Sequence, residues 1–173
     1  MKLKGFLLIV SVLVSGFAFS QQDIFDAARF GTIDDVKELI AKNPDTINVV
    51  DASGYSPLTL ACYRGNDEVA IFLASKIEDI DGESKYGTPL MAAVYKNREA
   101  VVKVLLEHGA DPNLADANGT SPLHYAIIMR NKTIIKQLVE ANADTSTKDN
   151  RGNTAIDYAN MTQDEEIINL IVK

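Results

Sequence analysis

A six-residue phrase recurs at a nearly constant spacing and constrains the fold more than any other feature of this chain. Its four copies each begin with Ser or Thr and end with Ala: Ser56–Ala61, Thr88–Ala93, Ser121–Ala126 and Thr154–Ala159. The terminal alanines lie 32, 33 and 33 residues apart, and the alanine of a degenerate copy, Asp23–Ala27, lies 34 residues before the first. A period of about 33 residues is typical of a stacked repeat array. Such an array offers an extended surface, which favours binding as its function.

Local rules predict two helices in each repeat. In the second repeat, residues 51–54 (Asp-Ala-Ser-Gly) predict a turn, Ser56 is a helix N-cap and Pro57 follows at the first helical position. Gly65 predicts the end of this helix, and a second helix is predicted over roughly residues 67–76. Because helices this short are marginal alone, neighbouring repeats must cover their apolar faces.

The first 20 residues differ in composition from the rest of the chain. Two lysines precede an uncharged run over residues 5–20 that is rich in Leu, Val, Ile and Phe. This pattern predicts a secretory signal peptide over residues 1–20, cleaved between Ser20 and Gln21. An uncleaved membrane anchor is the alternative, but the run of 16 residues is shorter than the roughly 20 that a spanning helix needs. We therefore expect a periplasmic or secreted protein.

Charge and cysteine content exclude some classes of function. The chain has a net charge of −7, and removal of residues 1–20 takes away two lysines and no acid, which leaves a net charge of −9. This acidic balance argues against nucleic acid as a partner, because affinity there comes from neutralising phosphates. The single cysteine, Cys62, cannot form an internal disulfide. We expect it to be a small buried apolar residue, with a redox-active thiol as the alternative.

The repeated pattern resembles that of the ankyrin repeat family. The family pattern runs from Asp-x-x-Gly-x-Thr-Pro-Leu-His-x-Ala to Val-x-x-Leu-Leu-x-x-Gly-Ala-Asp-x-Asn, and residues 84–126 match it almost fully. The resemblance covers about residues 22–173 and implies an all-α repeat solenoid of helix pairs with projecting β-hairpin fingers. The finger before Thr88 is one residue short, so we expect any irregularity between the second and third repeats. The domain over residues 21–173 is predicted to hold five repeats, at approximately 22–50, 51–83, 84–115, 116–148 and 149–173.

Motifs for catalysis or metal binding are not found. There is no histidine pair on one helix turn, no Cys-x-x-Cys, no Gly-x-Ser-x-Gly and no phosphate loop. The resemblance implies that His124 ties neighbouring loops by hydrogen bonds, and His108 falls where a helix dipole favours a cation. Residues 79–83 lack the full ligand pattern of a calcium loop and are interpreted as an acidic connector. We expect no enzyme activity, no cofactor and no metal.

The resemblance implies that partners contact the inner helix two and three residues after the motif alanine, together with the finger tips. These positions hold aromatic and basic residues and no acid, although acids outnumber bases in the chain. Some tyrosines could instead pack against the next helix and expose only their hydroxyls. Tyrosine and arginine are enriched at interface hot spots, so the set predicts a protein partner with an acidic or extended segment. The predicted protein-binding residues are Arg29, Phe30, Tyr55, Tyr63, Arg64, Tyr86, Tyr95, Lys96, Ile128 and Met129.

The remaining positions of the same register are less distinctive in chemistry. They are Met161 and Thr162 on the fifth inner helix and Ser53, Lys85, Asn118, Thr120 and Arg151 in the fingers.

These features together predict a non-catalytic protein-interaction module that acts as a monomer and contacts no membrane after signal cleavage. Small exported bacterial ankyrin proteins, which this chain resembles, include some linked to the support of catalase under peroxide stress. Others act as immunity or inhibitor proteins against toxins, which is the alternative. A neighbouring catalase gene or toxin gene would discriminate between the two. An enzyme would need a catalytic pair in a cleft, and this register offers none; a purely structural role is the third class considered.

Overall fold

The computed structural model describes residues 23–82, Ser84 and residues 87–172. The predicted signal peptide and the finger residues Lys85 and Tyr86 lie outside these described residues. The described part contains ten α-helices, with a short 3-10 helix, Pro44–Asn48, after the second. The α-helices are α1 Ile24–Phe30, α2 Ile33–Lys42, α3 Pro57–Arg64, α4 Asp67–Ala74, α5 Pro89–Tyr95, α6 Glu99–Glu107, α7 Pro122–Ile128, α8 Lys132–Glu140, α9 Ala155–Thr162 and α10 Glu165–Ile171.

The helices form two rows. The odd-numbered helices pack against one another in sequence and form the inner row, and the even-numbered helices do the same and form the outer row. Each odd helix also packs on the even helix that follows it in the chain. This arrangement confirms the predicted all-α repeat solenoid. None of the described helices is long and apolar enough to cross a membrane.

Hydroxyl residues begin four of the five inner helices, as predicted. Ser56, Thr88, Ser121 and Thr154 each accept a hydrogen bond from the backbone amide three residues further on, which satisfies a donor that the helix itself cannot pair. Gly65 ends α3 in the left-handed conformation, with φ of 77°. The second helix of that repeat ends at residue 74, two residues before the predicted end.

The repeated phrase supplies the core. The leucines at its third position and its terminal alanines are completely buried: Leu58, Leu90, Leu123, Ala61, Ala93, Ala126 and Ala159. They belong to one apolar cluster that runs through all five repeats. The alanines let adjacent inner helices approach closely, since a methyl group takes little space between them. The conspicuous motif therefore stabilises the stack and leaves recognition to other positions.

The second and third repeats are stacked like the others despite the short finger. α3 packs against α5, and α4 packs against α6. The Arg98 guanidinium donates two hydrogen bonds to the Asp67 carboxylate, at 2.7 and 2.9 Å, and one to the Gly65 carbonyl at 3.1 Å. The Asp81 carboxylate accepts a hydrogen bond from the amide of Asp111 at 3.1 Å. These ties cross the junction, so the stack is continuous where the sequence pattern is least regular.

The fingers are tight turns. At the second finger the Gly54 amide donates to the Asp51 carbonyl at 2.8 Å, and the Asp51 amide donates to the Tyr55 carbonyl at 3.0 Å. Gly54 has φ of 83°, a conformation in which a side chain would be strained. Between described residues, β-pairing is limited to an isolated antiparallel bridge from Ser84 to Gly87. The fingers therefore have the hydrogen bonds of hairpin ends without extended strands.

Candidate functional site

One apolar side chain remains exposed near the end of each inner helix. The exposed fractions are 70% for Phe30, 48% for Tyr63, 45% for Tyr95, 45% for Ile128 and 63% for Met161. These five residues, which we call the apolar row, all lie at the predicted contact positions. Among the described residues they are five of the eight large hydrophobic side chains that stay exposed. Apolar exposure is therefore concentrated on one surface, and contiguous exposed apolar surface marks interaction sites.

Basic side chains lie against the rings of the apolar row. The Arg64 guanidinium is 5.3 Å from the centre of the Phe30 ring. The Lys96 ammonium is 4.3 Å from the centre of the Tyr63 ring and 5.5 Å from that of Tyr95. Each such cation–π contact is worth about 0.5–1 kcal/mol at an exposed site. The contacts hold long side chains in place before a partner arrives, which reduces the entropy lost on binding.

Arg64 and Lys96 differ from Arg29 in whether a carboxylate pairs with their positive charge. Within the described part of the chain, neither Arg64 nor Lys96 forms an ion pair with a carboxylate. The Arg29 guanidinium pairs with the carboxylates of Asp26 and Asp51, at 3.3 Å each, and ties α1 to the second finger. Arg29 thus has a structural partner within the protein, which the sequence prediction did not foresee.

A cavity of about 410 Å³ opens beside the apolar row. It lies between α3, α5, α7 and the base of the second finger, and we call it the tyrosine cavity. The residue before the motif alanine explains the space, because successive repeats place Leu60, Ala92, Tyr125 and Tyr158 there. Ala92 is too small to fill the volume that its counterparts occupy. The lining residues are Tyr55, Thr59, Tyr63, Thr88, Met91, Ala92, Tyr95 and Tyr125.

Tyr125 joins the tyrosine cavity to the fourth finger. Its ring meets that of Tyr95 edge-on, with ring centres 6.0 Å apart, and its hydroxyl donates a hydrogen bond to the Asp116 carboxylate at 2.7 Å. Burial, and then this bond, raise the pKa of Tyr125 to about 12. Burial by itself would raise the pKa of Asp116, but the Tyr125 hydroxyl and the amides of Asn118 and Thr120 outweigh it and lower that pKa.

The fifth repeat contains the same tyrosine–aspartate pair. The Tyr158 hydroxyl donates to Asp149 at 2.6 Å, and this bond lowers the pKa of Asp149. Neither Tyr125 nor Tyr158 was among the predicted binding residues. The available signal was the nine-residue interval from Asp116 to Tyr125, which recurs from Asp149 to Tyr158.

Two buried residues that attract attention in the sequence have structural roles. His124 is fully buried, and its Nδ1 accepts a hydrogen bond from the Ser121 amide at 3.1 Å. Its ring meets that of Tyr158 in the next repeat edge-on, with centres 5.5 Å apart. Burial lowers the pKa of His124, while nearby Asp149 opposes that shift. Cys62 is fully buried and burial raises its pKa, which confirms a small buried apolar residue and disfavours a reactive thiolate.

A sequence model of ankyrin repeats in three copies matches residues 24–116 and 108–173, which is nearly the whole described chain. The chain belongs to the ankyrin repeat family. Ankyrin repeats are generally non-catalytic and bind protein partners, so their presence suggests a protein–protein interaction module. Within the described residues there is also no cluster of three or more His, Cys, Asp or Glu side chains that could hold a metal ion.

Several larger proteins are similar to part of this chain. Ankyrin repeat and SAM domain-containing protein 6 of Mus musculus is 38% identical over 99 residues, which are 56% of this chain and 11% of that protein. Palmitoyltransferase ZDHHC13 of Mus musculus is 35% identical over 104 residues, 59% of this chain and 17% of that protein. BCL-6 corepressor-like protein 1 of Homo sapiens is 33% identical over 94 residues, 54% of this chain and 5% of that protein. The chain spans less than a fifth of each relative, so the similarity concerns the repeats.

Several other predicted contact residues that the structure describes line cavities or lie at the ends of inner helices. Tyr55 is half-buried and lines the tyrosine cavity. Met129 and Thr162 are half-buried at the ends of α7 and α9. A second cavity, of about 270 Å³, lies between the fourth and fifth fingers and α7, beside Ile128. Its lining residues are Asn118, Thr120, Tyr125, Ile128, Asp149, Asn150, Arg151 and Tyr158.

Proposed function

We propose that this ankyrin repeat protein is a non-catalytic adaptor that binds a protein partner through its apolar row and fingers. The observation that carries the proposal is the apolar row itself, because it leaves one large apolar side chain exposed in every repeat. Exposed aromatic side chains at regular spacing present a large contact area with little entropy to lose on binding. The row crosses all five repeats, so it suits an extended segment or a broad protein surface.

Charge supports a partner with carboxylates at the contact. The chain is acidic overall, at −7, yet Arg64 and Lys96 lie within the apolar row and form no ion pair with a carboxylate among the described residues. A positive surface within an acidic protein orients a complementary partner during encounter. We therefore propose that an acidic segment of the partner contacts these two side chains.

The proposal includes export and two classes of partner. Export through a signal peptide over residues 1–20 is supported by the uncharged apolar run behind two lysines. On the basis of the resemblance to small exported ankyrin proteins, the proposed partner is an oxidative-stress enzyme such as catalase. The protein is proposed to act as a monomer. Immunity against a toxin is the alternative, and the identity of a captured partner discriminates between the two.

The experiment compares capture by two forms of the mature protein, residues 21–173. The wild type and a Tyr63→Ala/Tyr95→Ala variant are immobilised, exposed to a periplasmic extract of the source organism, and the captured proteins are identified by mass spectrometry. The expected result is one specific partner, bound about ten-fold or more weakly by the variant, because interface aromatics are frequent hot spots. N-terminal sequencing of the native protein should begin at Gln21.

A matched control removes exposed apolar side chains elsewhere. Val50 and Val172 are 61% and 66% exposed and lie outside the apolar row. The Val50→Ala/Val172→Ala variant should capture the partner as well as the wild type does. Equal capture by the wild type and the double tyrosine variant, when both remain folded by circular dichroism, would refute the proposed surface.

A further inference from the structure

The tyrosine cavity has the volume and the lining of a binding pocket. Its volume of about 410 Å³ falls in the range of small ligand pockets, at roughly 300–1,000 Å³. The lining consists of four tyrosines, Met91 and Ala92, together with Thr59 and Thr88. Such walls favour an apolar or aromatic side chain over a charged one.

The cavity exists because of one small residue. At the position of Ala92 the second repeat has Leu60, which is buried, and the fourth and fifth repeats have Tyr125 and Tyr158. At the third repeat, the small side chain of Ala92 leaves a recess between α3 and α7. The recess is therefore at a defined place along the apolar row, and it sets the register in which a segment can lie there.

The cation beside the cavity selects the chemistry that can accompany the apolar side chain. The Lys96 ammonium is within 4.3 Å and 5.5 Å of the ring centres of Tyr63 and Tyr95, both of which line the cavity. An incoming cation would compete with Lys96 for these ring faces and would be repelled by its charge. An incoming carboxylate could pair with Lys96 while the ring contacts persist, because an ammonium group has three donors.

We propose that the tyrosine cavity binds an apolar or aromatic side chain of an extended partner segment, with an Asp or Glu of that segment pairing with Lys96. This inference rests on the proposed function and assigns the anchor point and the recognition chemistry on the same surface. A bound segment runs along the apolar row, where Arg64 lies one repeat from Lys96 and offers a second position for a carboxylate. The repeat spacing then sets the distance between the two acidic contacts.

The test selects binders from a phage-displayed library of random 12-residue peptides against the mature protein. Enriched peptides are synthesised with a fluorophore, and their affinity is measured by fluorescence anisotropy. We expect each to contain a large apolar residue with Asp or Glu within about three positions, the reach of neighbouring side chains on an extended chain. Binding should weaken about ten-fold or more in Ala92→Leu, which places in the cavity the residue that the second repeat has at this position.

Two further variants make the outcome specific. Ala100→Leu adds the same atoms at an exposed position of the outer helix α6 and should leave binding unchanged. Lys96→Gln should reduce the affinity for acidic peptides. It should reduce the affinity less for the same peptides with Asn and Gln in place of Asp and Glu. Circular dichroism and thermal unfolding confirm that each variant is folded.

Several results would overturn the proposal. Enrichment of basic peptides would mean that the rings take a cation instead, and no enrichment would mean that the cavity is no anchor site. Peptides that bind Ala92→Leu as tightly as the wild type also refute the cavity. If those peptides still lose affinity for Tyr63→Ala/Tyr95→Ala, the proposed binding surface stands while the cavity assignment fails.

Discussion

The Tyr125 hydroxyl offers a direct test of how the binding surface is held in shape. It donates to the Asp116 carboxylate at 2.7 Å, and through this bond the inner helix α7 fixes the fourth finger. Tyr125→Phe removes the hydroxyl and keeps the ring that lines the tyrosine cavity. The change therefore isolates one hydrogen bond with little effect on apolar burial.

The expected loss of stability follows from the surroundings of the bond. A hydrogen bond to a charged group contributes about 1.5–3 kcal/mol, and this pair is only partly buried, so we expect about 1–2 kcal/mol. The carboxylate retains the amides of Asn118 and Thr120, at 2.8 and 3.0 Å, so it is not left without donors. In a domain of this size the loss corresponds to roughly 2–8 °C in Tm.

The dependence on pH provides a second readout. The pKa of Asp116 is lowered in the folded protein, so the stabilisation is present above its unfolded value of about 3.9 and is lost as the pH falls through the folded value. Urea unfolding should show a large difference in the free energy of unfolding between Tyr125→Phe and the wild type at pH 7. The difference should be smaller at about pH 3.

A double-mutant cycle with Asp116→Asn measures the coupling directly, and we expect about 1 kcal/mol. Tyr63→Phe is the matched control, because the Tyr63 hydroxyl makes no hydrogen bond to a carboxylate among the described residues. It should change stability by less than about 0.5 kcal/mol. The reasoning is refuted if Tyr125→Phe costs no more than this control, or if the loss is the same at pH 7 and pH 3.

Two further predictions concern buried and inter-repeat groups. Burial lowers the pKa of His124 below its ordinary value of about 6.5, so the unfolded chain binds the proton more tightly and stability should fall as the pH drops below that value. Between pH 7 and pH 5 the urea midpoint should fall less in His124→Met than in the wild type. An equal fall in both proteins would contradict this. Arg98→Met should lose about 1 kcal/mol through its bond to Asp67, with a coupling in a cycle with Asp67→Asn that weakens at high salt. Absence of coupling would show that the Arg98–Asp67 pair does not stabilise the junction between the second and third repeats.

Much of the fold was predictable because each repeat has similar capping, turn and core residues at equivalent positions. Ser56 and its counterparts cap helices by accepting a hydrogen bond from a backbone amide three residues further on. The motif leucines and alanines are buried wherever two repeats pack together. The exposed row was predictable for the same reason, since the register places Tyr63 and Tyr95 two residues after the motif alanine and Phe30 three residues after it. The capping, core and exposed positions of one repeat were therefore predicted well, whereas the tyrosine–aspartate pairs within the fourth and fifth repeats were missed.

Properties that depend on two or three repeats at once were missed, and the physical reason is the same in each case. Arg29 has the predicted position, yet its charge is paired with Asp51, 22 residues away in the next repeat's finger. The tyrosine cavity requires a small residue at position 92 together with large ones on α3 and α7, so no single repeat contains its signal. On the proposed binding mode, recognition therefore depends less on the residues that the repeats share than on positions where the side chains of adjacent repeats differ in size. On this reasoning Ala92, a residue with almost no chemistry of its own, decides where along the apolar row a partner is anchored.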